Sequence, residues 1–576
     1  MKIKYLIPVT FMASAVILLQ SCSKTFDKLS VNPNQQTVQA IKTPAAYNQL
    51  IQGIYFYIAT PRNLGAESRG VLFSRGDETS SGSDYAAFGQ NTINPDYYSL
   101  KESYQYMYTV AGQAAIAIDI AKQVNFPDTV LRNAYLGEAY CLRAFAHFFL
   151  LTNYRQVALI KTPAYLPQDY ARPINTPHEV WDFIIQDLTM AKHLLPNKGY
   201  WSGANVGRLT AGAAAGLLGK VYLYMSGIDF NWGADGTPVN KYNEAAKEFG
   251  DIINGVYGSY SLVPDYTWNF DVAHENNSES VLEFQFHGSR INSAFNPGSS
   301  TSAVDFDYRG IVFPFTNSFI TNLRTNGVTA IVHDWVYDTF VSSKDNNGNT
   351  DPRMFGTMLF DDSKSEIKKP TINGTTLQTI GISGKTWNQM YPPNGSLTGL
   401  ATVNPKFAPY KAVYRKWIDL TLPSDKDPGS PNLWFGTSYS NGVNYRYIRY
   451  ADVLLMYAES VLMGGTPTAG SAADAINKVR ARSNMPPVEA TMDNLKTERI
   501  LELSLEGHRF MDLLRWGTLD ATMKMRESSD PNFKHFGDGS ANSTYIPWQN
   551  NKNEWLPLSA TDLLTNPNIK SNNPGW

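Results

Sequence analysis

The sequence predicts a mainly α-helical protein: tetratricopeptide-like helix pairs forming an α-solenoid scaffold, with a large irregular, loop-rich insertion that contains short strands. Three observations predict it. Apolar residues recur at spacings of three and four through both ends of the chain. One of these segments, 210–225, is rich in Ala and Gly, so neighbouring helices can approach its backbone closely. Between about 255 and 444 the periodicity gives way to Gly, Pro, Asn, Ser and aromatic residues.

In chain order, amphipathic segments cover 44–59, 100–124 and 130–154. In the third, Ala139, Leu142, Ala146 and Phe149 form a stripe that Cys141, Phe145 and Phe148 widen, as expected of a helix buried on a broad side. Thr176 stands before Pro177, His178 and Glu179; proline at the first helical position and an acid in the first turn start a helix that ends at Leu195 and Pro196. Segments 210–225 and 241–254 follow, and small residues at their contacts with aromatics around them suggest tetratricopeptide-type packing. In the middle region, 280–286 reads as a strand. So much irregular chain implies a use for it. Helices return at 449–463, 471–482 and 493–516, the last through the rhythm Ile500, Leu503, Gly507, Phe510 and Leu514.

The N-terminus reads as an export signal. Lys2 and Lys4 precede a stretch, 5–19, that is apolar apart from Thr10 and Ser14, and it ends at Leu19, Gln20, Ser21 and Cys22. This looks like a lipobox, so residues 1–21 are expected to be removed, Cys22 acylated, and 22–43 left as a tether to a membrane. The chain has two cysteines. With Cys22 lipidated no intramolecular disulfide can form, and Cys141, within an apolar helical pattern, reads as a small core residue. The best later apolar run, 209–225, is broken by Lys220 and is not expected to span a bilayer.

Composition narrows the function classes. With 49 basic and 51 acidic residues, a net charge of -2 and no long run of one sign, there is no footprint for nucleic acid. Charged residues are 17%, below the usual share of about 25%, while aromatics reach 13% with 33 Tyr and 12 Trp. Such a composition favours recognition by stacking and hydrogen bonding.

Catalytic signatures fail one by one. No two of the 8 histidines have the i, i+4 spacing of a zinc helix. Gly384, Lys385 and Thr386 mimic the end of a phosphate loop, but the required earlier glycine is Thr379. The run from Asp345 to Asp351 has alternating oxygen ligands as in a calcium loop, yet Thr350 and Gly356 stand where glycine and glutamate are needed, so it reads as a turn. There is no G-x-S-x-G elbow. A glycosidase needs two carboxylates across a cleft, and the sequence leaves open pairs such as Asp305 with Asp307 or Asp361 with Asp362, because the deciding separation is spatial. The expectation is a binding protein with no catalytic residue, no metal and no cofactor.

A sugar ring has an apolar C–H face and a polar rim, so a glycan site needs aromatic plates together with Asn, Asp or Arg side chains. Two stretches supply both. The first, 77–98, contains Asp77, Asp84, Tyr85, Phe88, Gln90, Asn91, Asn94, Tyr97 and Tyr98. The second, 290–315, contains Phe295, Phe306, Tyr308, Arg309 and Phe313. Asp77, Tyr85, Phe88, Asn91, Phe295, Phe306, Tyr308 and Arg309 are the candidate ligand contacts, with local packing the competing explanation for any single aromatic.

Several motifs occur in order along the chain: the lipobox; Gly137, Glu138, Ala139, then Leu142, Arg143, Ala144; Asp187, Leu188 with Leu194, Leu195, Pro196; Asp351, Pro352, Arg353; Arg446 through Glu459; Ile476 through Arg482; Glu498, Arg499, Glu502, Glu506, Gly507, His508, Arg509, Asp512, Arg515, Trp516, Gly517; and the ending Asn572, Asn573, Pro574, Gly575, Trp576. Together they resemble the SusD/RagB-like outer-membrane lipoproteins, nutrient-binding partners of TonB-dependent transporters. The resemblance implies a lipid-anchored, surface-exposed glycan-binding protein acting as a lid over a SusC-like transporter. It implies a ligand site built from the inter-helix segment 77–98 and the irregular region. Peptide binding is the alternative in the same uptake system, and a glycoside hydrolase a weaker one. The organisation expected is a signal at 1–21, a tether at 22–43, helical parts at 44–254 and 445–576, and the ligand-binding region at 255–444. Glu506, Arg509, Asp512 and Arg515 fall three apart on the helix predicted for 493–516, so they are expected to pair along one face as scaffold.

Overall fold

The computed structural model describes residues 40–59, 63–64, 67–81, 86–233, 237–286, 330–379, 411–416, 443–530, 533 and 545–576. Cys22, Tyr85, Phe295, Phe306, Tyr308 and Arg309 lie outside the described residues.

The chain is mainly helical. Its first part holds α1 (Pro44–Ala59), α2 (Glu67–Phe73), α3 (Ala86–Gly89), α4 (Tyr98–Ile120), α5 (Thr129–Tyr154), α6 (Pro177–Leu194), α7 (Ala211–Met225) and α8 (Tyr242–Ile253). The middle holds α9 (Asp334–Ser342) and α10 (Met354–Thr357), and the last part α11 (Tyr450–Leu462), α12 (Ala472–Arg482), α13 (Met492–Leu503), α14 (Arg509–Arg515), α15 (Leu519–Ser529) and α16 (Ala560–Thr565). Local chemistry sets the starts: Asp128 accepts from the N–H of Val130 and Leu131 ahead of α5, and Thr176 with Glu179 closes a capping box on α6. Among the described residues no helix is long and apolar enough to cross a membrane.

Packing runs from each helix to the next: α1 on α4, α4 on α5, α5 on α6, α6 on α7, α7 on α8, α8 on α11 and α11 on α12. This is the nearest-neighbour pattern of a helical-repeat scaffold. The core is continuous from Tyr47 to Ile569 and includes Cys141, whose thiol burial pushes up, as befits a core residue. The small residues of α7 work as expected: a side chain at Gly219 would stand 2.7 Å from the Phe249 ring of α8. Gly137 does the same in α5, where an added Cβ would lie 2.8 Å from Leu195 Cγ.

The strands are short. β1 (Thr79–Ser81), β2 (Ser280–Phe284), β3 (Ala330–Val332), β4 (Met358–Phe360), β5 (Thr371–Ile372), β6 (Thr375–Thr376), β7 (Ala412–Tyr414) and β8 (Tyr445–Arg449) form a four-stranded sheet in the order β1-β3-β7-β4 and the pairs β2-β8 and β5-β6. The predicted strand at 280–286 is β2, antiparallel to β8.

One prediction fails. The single helix expected over 493–516 is two helices, α13 and α14, parted by a turn in which Leu505 has φ 56° and Gly507 φ 83°. The charged ladder therefore does not run along one face. Glu506 sits in the turn and accepts from Arg449 and Lys416, Arg509 reaches Asp77, and only Asp512 and Arg515 pair within the helix, at 2.9 Å. Buried carboxylates drew these side chains to partners elsewhere, because a charge leaves water only when paired.

Candidate functional site

The four-stranded sheet joins the two candidate segments. β1 and β3 are antiparallel with Ser81 opposite Ala330 and Thr79 opposite Val332. The chain therefore leaves β1 toward Tyr85 at the same end of the sheet at which it arrives from 287–329, the stretch containing Phe295, Phe306, Tyr308 and Arg309. β7 lies antiparallel to β3 through Ile331 and Val413, and Met358 of β4 faces Tyr414, so the Tyr414 end of β7 shares that edge.

At the opposite end of these strands, before Thr79 and after Val332, lies a cluster of buried charge. Asp77 is fully buried and accepts from Arg509 Nε at 2.6 Å and Nη2 at 3.0 Å, and from Arg526 Nε at 3.1 Å. Burial opposes its ionisation, but the two guanidinium groups hold its carboxyl below the usual range. Both also lie over the Trp335 ring, at 5.1 and 4.0 Å, while Trp335 Nε1 donates to the Asp77 carbonyl at 2.6 Å. Glu78 is buried beside it, and burial pushes its carboxyl up to about 8. Its backbone carbonyl accepts from His333 N–H and Tyr414 O–H, each at 3.1 Å, which ties β1 to β3 and β7.

Asp77, Phe88 and Asn91, expected as ligand contacts, are therefore interior. Phe88 is buried edge-on against Tyr97, with centroids 5.7 Å apart. Asn91, at φ 58°, donates from Nδ2 to the Ile546 carbonyl at 2.9 Å, and Ile546 N–H donates to the Gln90 carbonyl at 3.0 Å. These three hold the segment in place, and the exposed positions beside them are Asn94, Asp96 and Tyr98. Sequence reasoning missed Trp335, Arg526 and the C-terminal partner Ile546. No local signal could have found them, since positions 77, 335, 526 and 546 meet only in the folded chain.

The remaining motif residues are scaffold. Glu138 takes both arms of Arg208, at 2.8 and 2.6 Å, and Arg143 forks onto Asp187 with two contacts of 2.8 Å. Arg353 meets Asp351, Glu498 and Glu502; Arg449 meets Glu279, Glu502 and Glu506; Arg515 meets Glu459 and Asp512. Burial would raise Glu502, yet Arg482, Arg449 and Arg353 hold it well below the usual carboxylate range. The Asp345 loop closes as a turn, its carboxylate accepting from the N–H of Asn347 and Asn349. Asp361 accepts from Ser363 and Asp362 from Thr379 N–H, so these acids cap local backbone. Among the described residues no three His, Cys, Asp or Glu side chains are placed to hold a metal.

Helices packed each on the next, with short strands paired beside them, define a helical-repeat scaffold protein. The chain belongs to the SusD family, whose profile matches residues 233–576. Residues 28–223 match a second profile, described as starch-binding associating with outer membrane. It is similar to SusD-like protein P2 of Formosa agariphila, 24% identical over 565 residues and covering 93% of each chain. A SusD-like protein of Bacteroides ovatus is 25% identical over 410 residues, which are 71% of this chain but 63% of that relative's length. Among solved structures, a SusD superfamily protein from Bacteroides vulgatus superposes with a TM-score of 0.68 at 21% identity, covering 92% of this chain and 99% of that one. Surface glycan-binding protein A from Bacteroides thetaiotaomicron, in complex with laminarihexaose, gives 0.65 at 18% identity, covering 92% and 100%. These likenesses establish the fold.

Proposed function

We propose that the protein is a glycan-binding lipoprotein of the outer membrane, held by acylated Cys22, that captures oligosaccharides or polysaccharides and passes them to a TonB-dependent SusC-like transporter without cleaving them. The observation that carries this reading is the shared sheet edge: antiparallel β1 and β3 bring the attachment points of both aromatic segments side by side. On this reading Tyr85 of the first segment and Phe295, Phe306, Tyr308 and Arg309 of the 255–444 region supply the plates and forks, while Asp77, Phe88 and Asn91 are interior. The relatives' descriptions support the ligand class, one naming starch and another a bound laminarihexaose. A tether keeps a lid at high local concentration over one partner, which suits a lipid anchor.

Isothermal titration of the protein lacking residues 1–21 against a glycan panel tests the site. Binding of at least one glycan is expected, with Tyr85→Ala combined with Tyr308→Ala weakening it tenfold or more. A bound glycan whose affinity the double variant leaves unchanged would refute the placement, and release of smaller sugars on long incubation would refute binding without turnover.

A further inference from the structure

A second site lies at the C-terminal end of α5. An open cleft of about 410 Å³ is lined by Arg155, Asp229, Trp232, Asn551, Glu554 and Trp555, among others, and none of its lining residues belongs to the four-stranded sheet. Its aromatic wall is rigid. The Trp232 and Trp555 rings are 5.1 Å apart, Phe230 packs edge-on against both at 5.7 Å, and Trp181 stacks behind Trp232 at 6.3 Å. Arg155 lies over both tryptophans, at 5.3 and 5.9 Å, from a backbone held at φ 59°, a conformation that side-chain-bearing residues seldom adopt.

Three carboxylates line this cleft: Asp520 pairs with Lys524 at 2.8 Å, whereas Glu554 and Asp229 form no ion pair among the described residues. Glu554 is 8% exposed; its Oε1 accepts from Asn551 N–H at 3.0 Å, while Oε2 is buried without a hydrogen-bond partner. A buried acceptor without a donor is unfavourable and calls for one from outside. Asp229 lines the same cleft, and burial together with the Glu554 charge pushes its carboxyl up to about 6. Among the described residues Arg155 makes no ion pair with either. The unmet need is for hydroxyl-type donors beside aromatic faces. An ammonium ligand fits poorly, since Arg155 already places a cation over both rings. A metal fits poorly because Asp520, the third acid of the cleft, does not join the other two in a group placed to hold one among the described residues.

We propose that this cleft is a second saccharide subsite that takes one neutral pyranose unit, its hydroxyls donating to the Glu554 and Asp229 carboxylates beside the Trp232 and Trp555 rings. The ligand class rests on the glycan-binding reading above; the location rests on the cleft's own residues. The test is titration of the full chain with α-1,4- and β-1,3-linked glucohexaoses and with glucose, followed by calorimetry and tryptophan fluorescence. Two classes of site are expected. Glu554→Gln or Asp229→Asn should weaken one class at least tenfold and leave the class that Tyr85→Ala with Tyr308→Ala removes. Asp229→Asn, at a half-buried position, guards against a folding failure of Glu554→Gln, with the circular dichroism melt as control. One class of site insensitive to both variants would overturn the subsite and leave the glycan reading standing. No binding of any saccharide would overturn both, and displacement of the fluorescence change by methylammonium would overturn the neutral ligand.

Discussion

Replacing Glu502 with Gln tests whether the buried ion network holds the C-terminal helices together. Glu502 is fully buried and accepts from Arg449 Nη1 at 2.6 Å, from Arg353 Nη1 at 3.0 Å and from Arg482. Removing one partner of a buried pair costs about 3–5 kcal/mol, because the remaining charge stays out of water uncompensated. Here each arginine keeps another carboxylate: Arg353 has Asp351 and Glu498, Arg449 has Glu279 and Glu506, and Arg482 has Glu279. The expected loss is therefore at the low end, about 3 kcal/mol. With an unfolding entropy of about 2.1 cal/mol/K per residue, a chain of this length should lose roughly 3 °C in melting temperature. The control is Lys247→Ala, which breaks the pair with Asp251, where the lysine is 62% exposed, and should cost about 0.5 kcal/mol or less. Denaturant unfolding and a thermal melt measure both. Equal effects of Glu502→Gln and Lys247→Ala would refute the reasoning.

Acid should destabilise the fold. Glu502, Glu506, Asp512 and Asp77 are held below their usual range by neighbouring arginines, so the unfolded chain takes up protons first and stability falls as pH drops through the carboxylate range. His508, pushed down to about 4 by burial and Lys220, adds to that loss between 6.5 and 4. Glu78, raised from 4.5 to about 8, acts in the opposite direction: its contribution is complete below 4.5 and disappears as pH rises toward 8. The melting temperature should therefore fall from pH 6 to pH 4, and a rise over that interval would refute the linkage. Gly137→Ala should cost about 1–3 kcal/mol, since its Cβ would meet Leu195 Cγ at 2.8 Å; an unchanged denaturation midpoint would show that α6 yields there.

Much of the helical scaffold was legible because its signals are local. Segment 44–59 is α1 to the residue, and the Thr176, Pro177 and Glu179 pattern marks the start of α6, since a capping box needs only residues within one turn. The small residues of 210–225 announced the close packing that Gly219 makes with Phe249. The break between α13 and α14 was not legible. Gly507 fits the apolar rhythm of 493–516, and only the pull of Arg449 and Lys416 on Glu506 makes it a turn residue at φ 83°.

At the site, the residue types of 77–98 read as sugar-binding chemistry, but a carboxylate is equally suited to a hydroxyl and to a guanidinium. Asp77 became scaffold because Arg509 and Arg526, more than four hundred positions away, fold against it. The cleft around Glu554 is more distant still from sequence reasoning, assembled from the end of α5, the turn at Asp229 and the C-terminal segment. By itself, then, the sequence determined the periodicity, the caps and the family motifs, which depend on neighbours along the chain. Tertiary structure decided which polar groups are spent inside and which remain for a ligand, because that depends on what each group meets once water has been excluded.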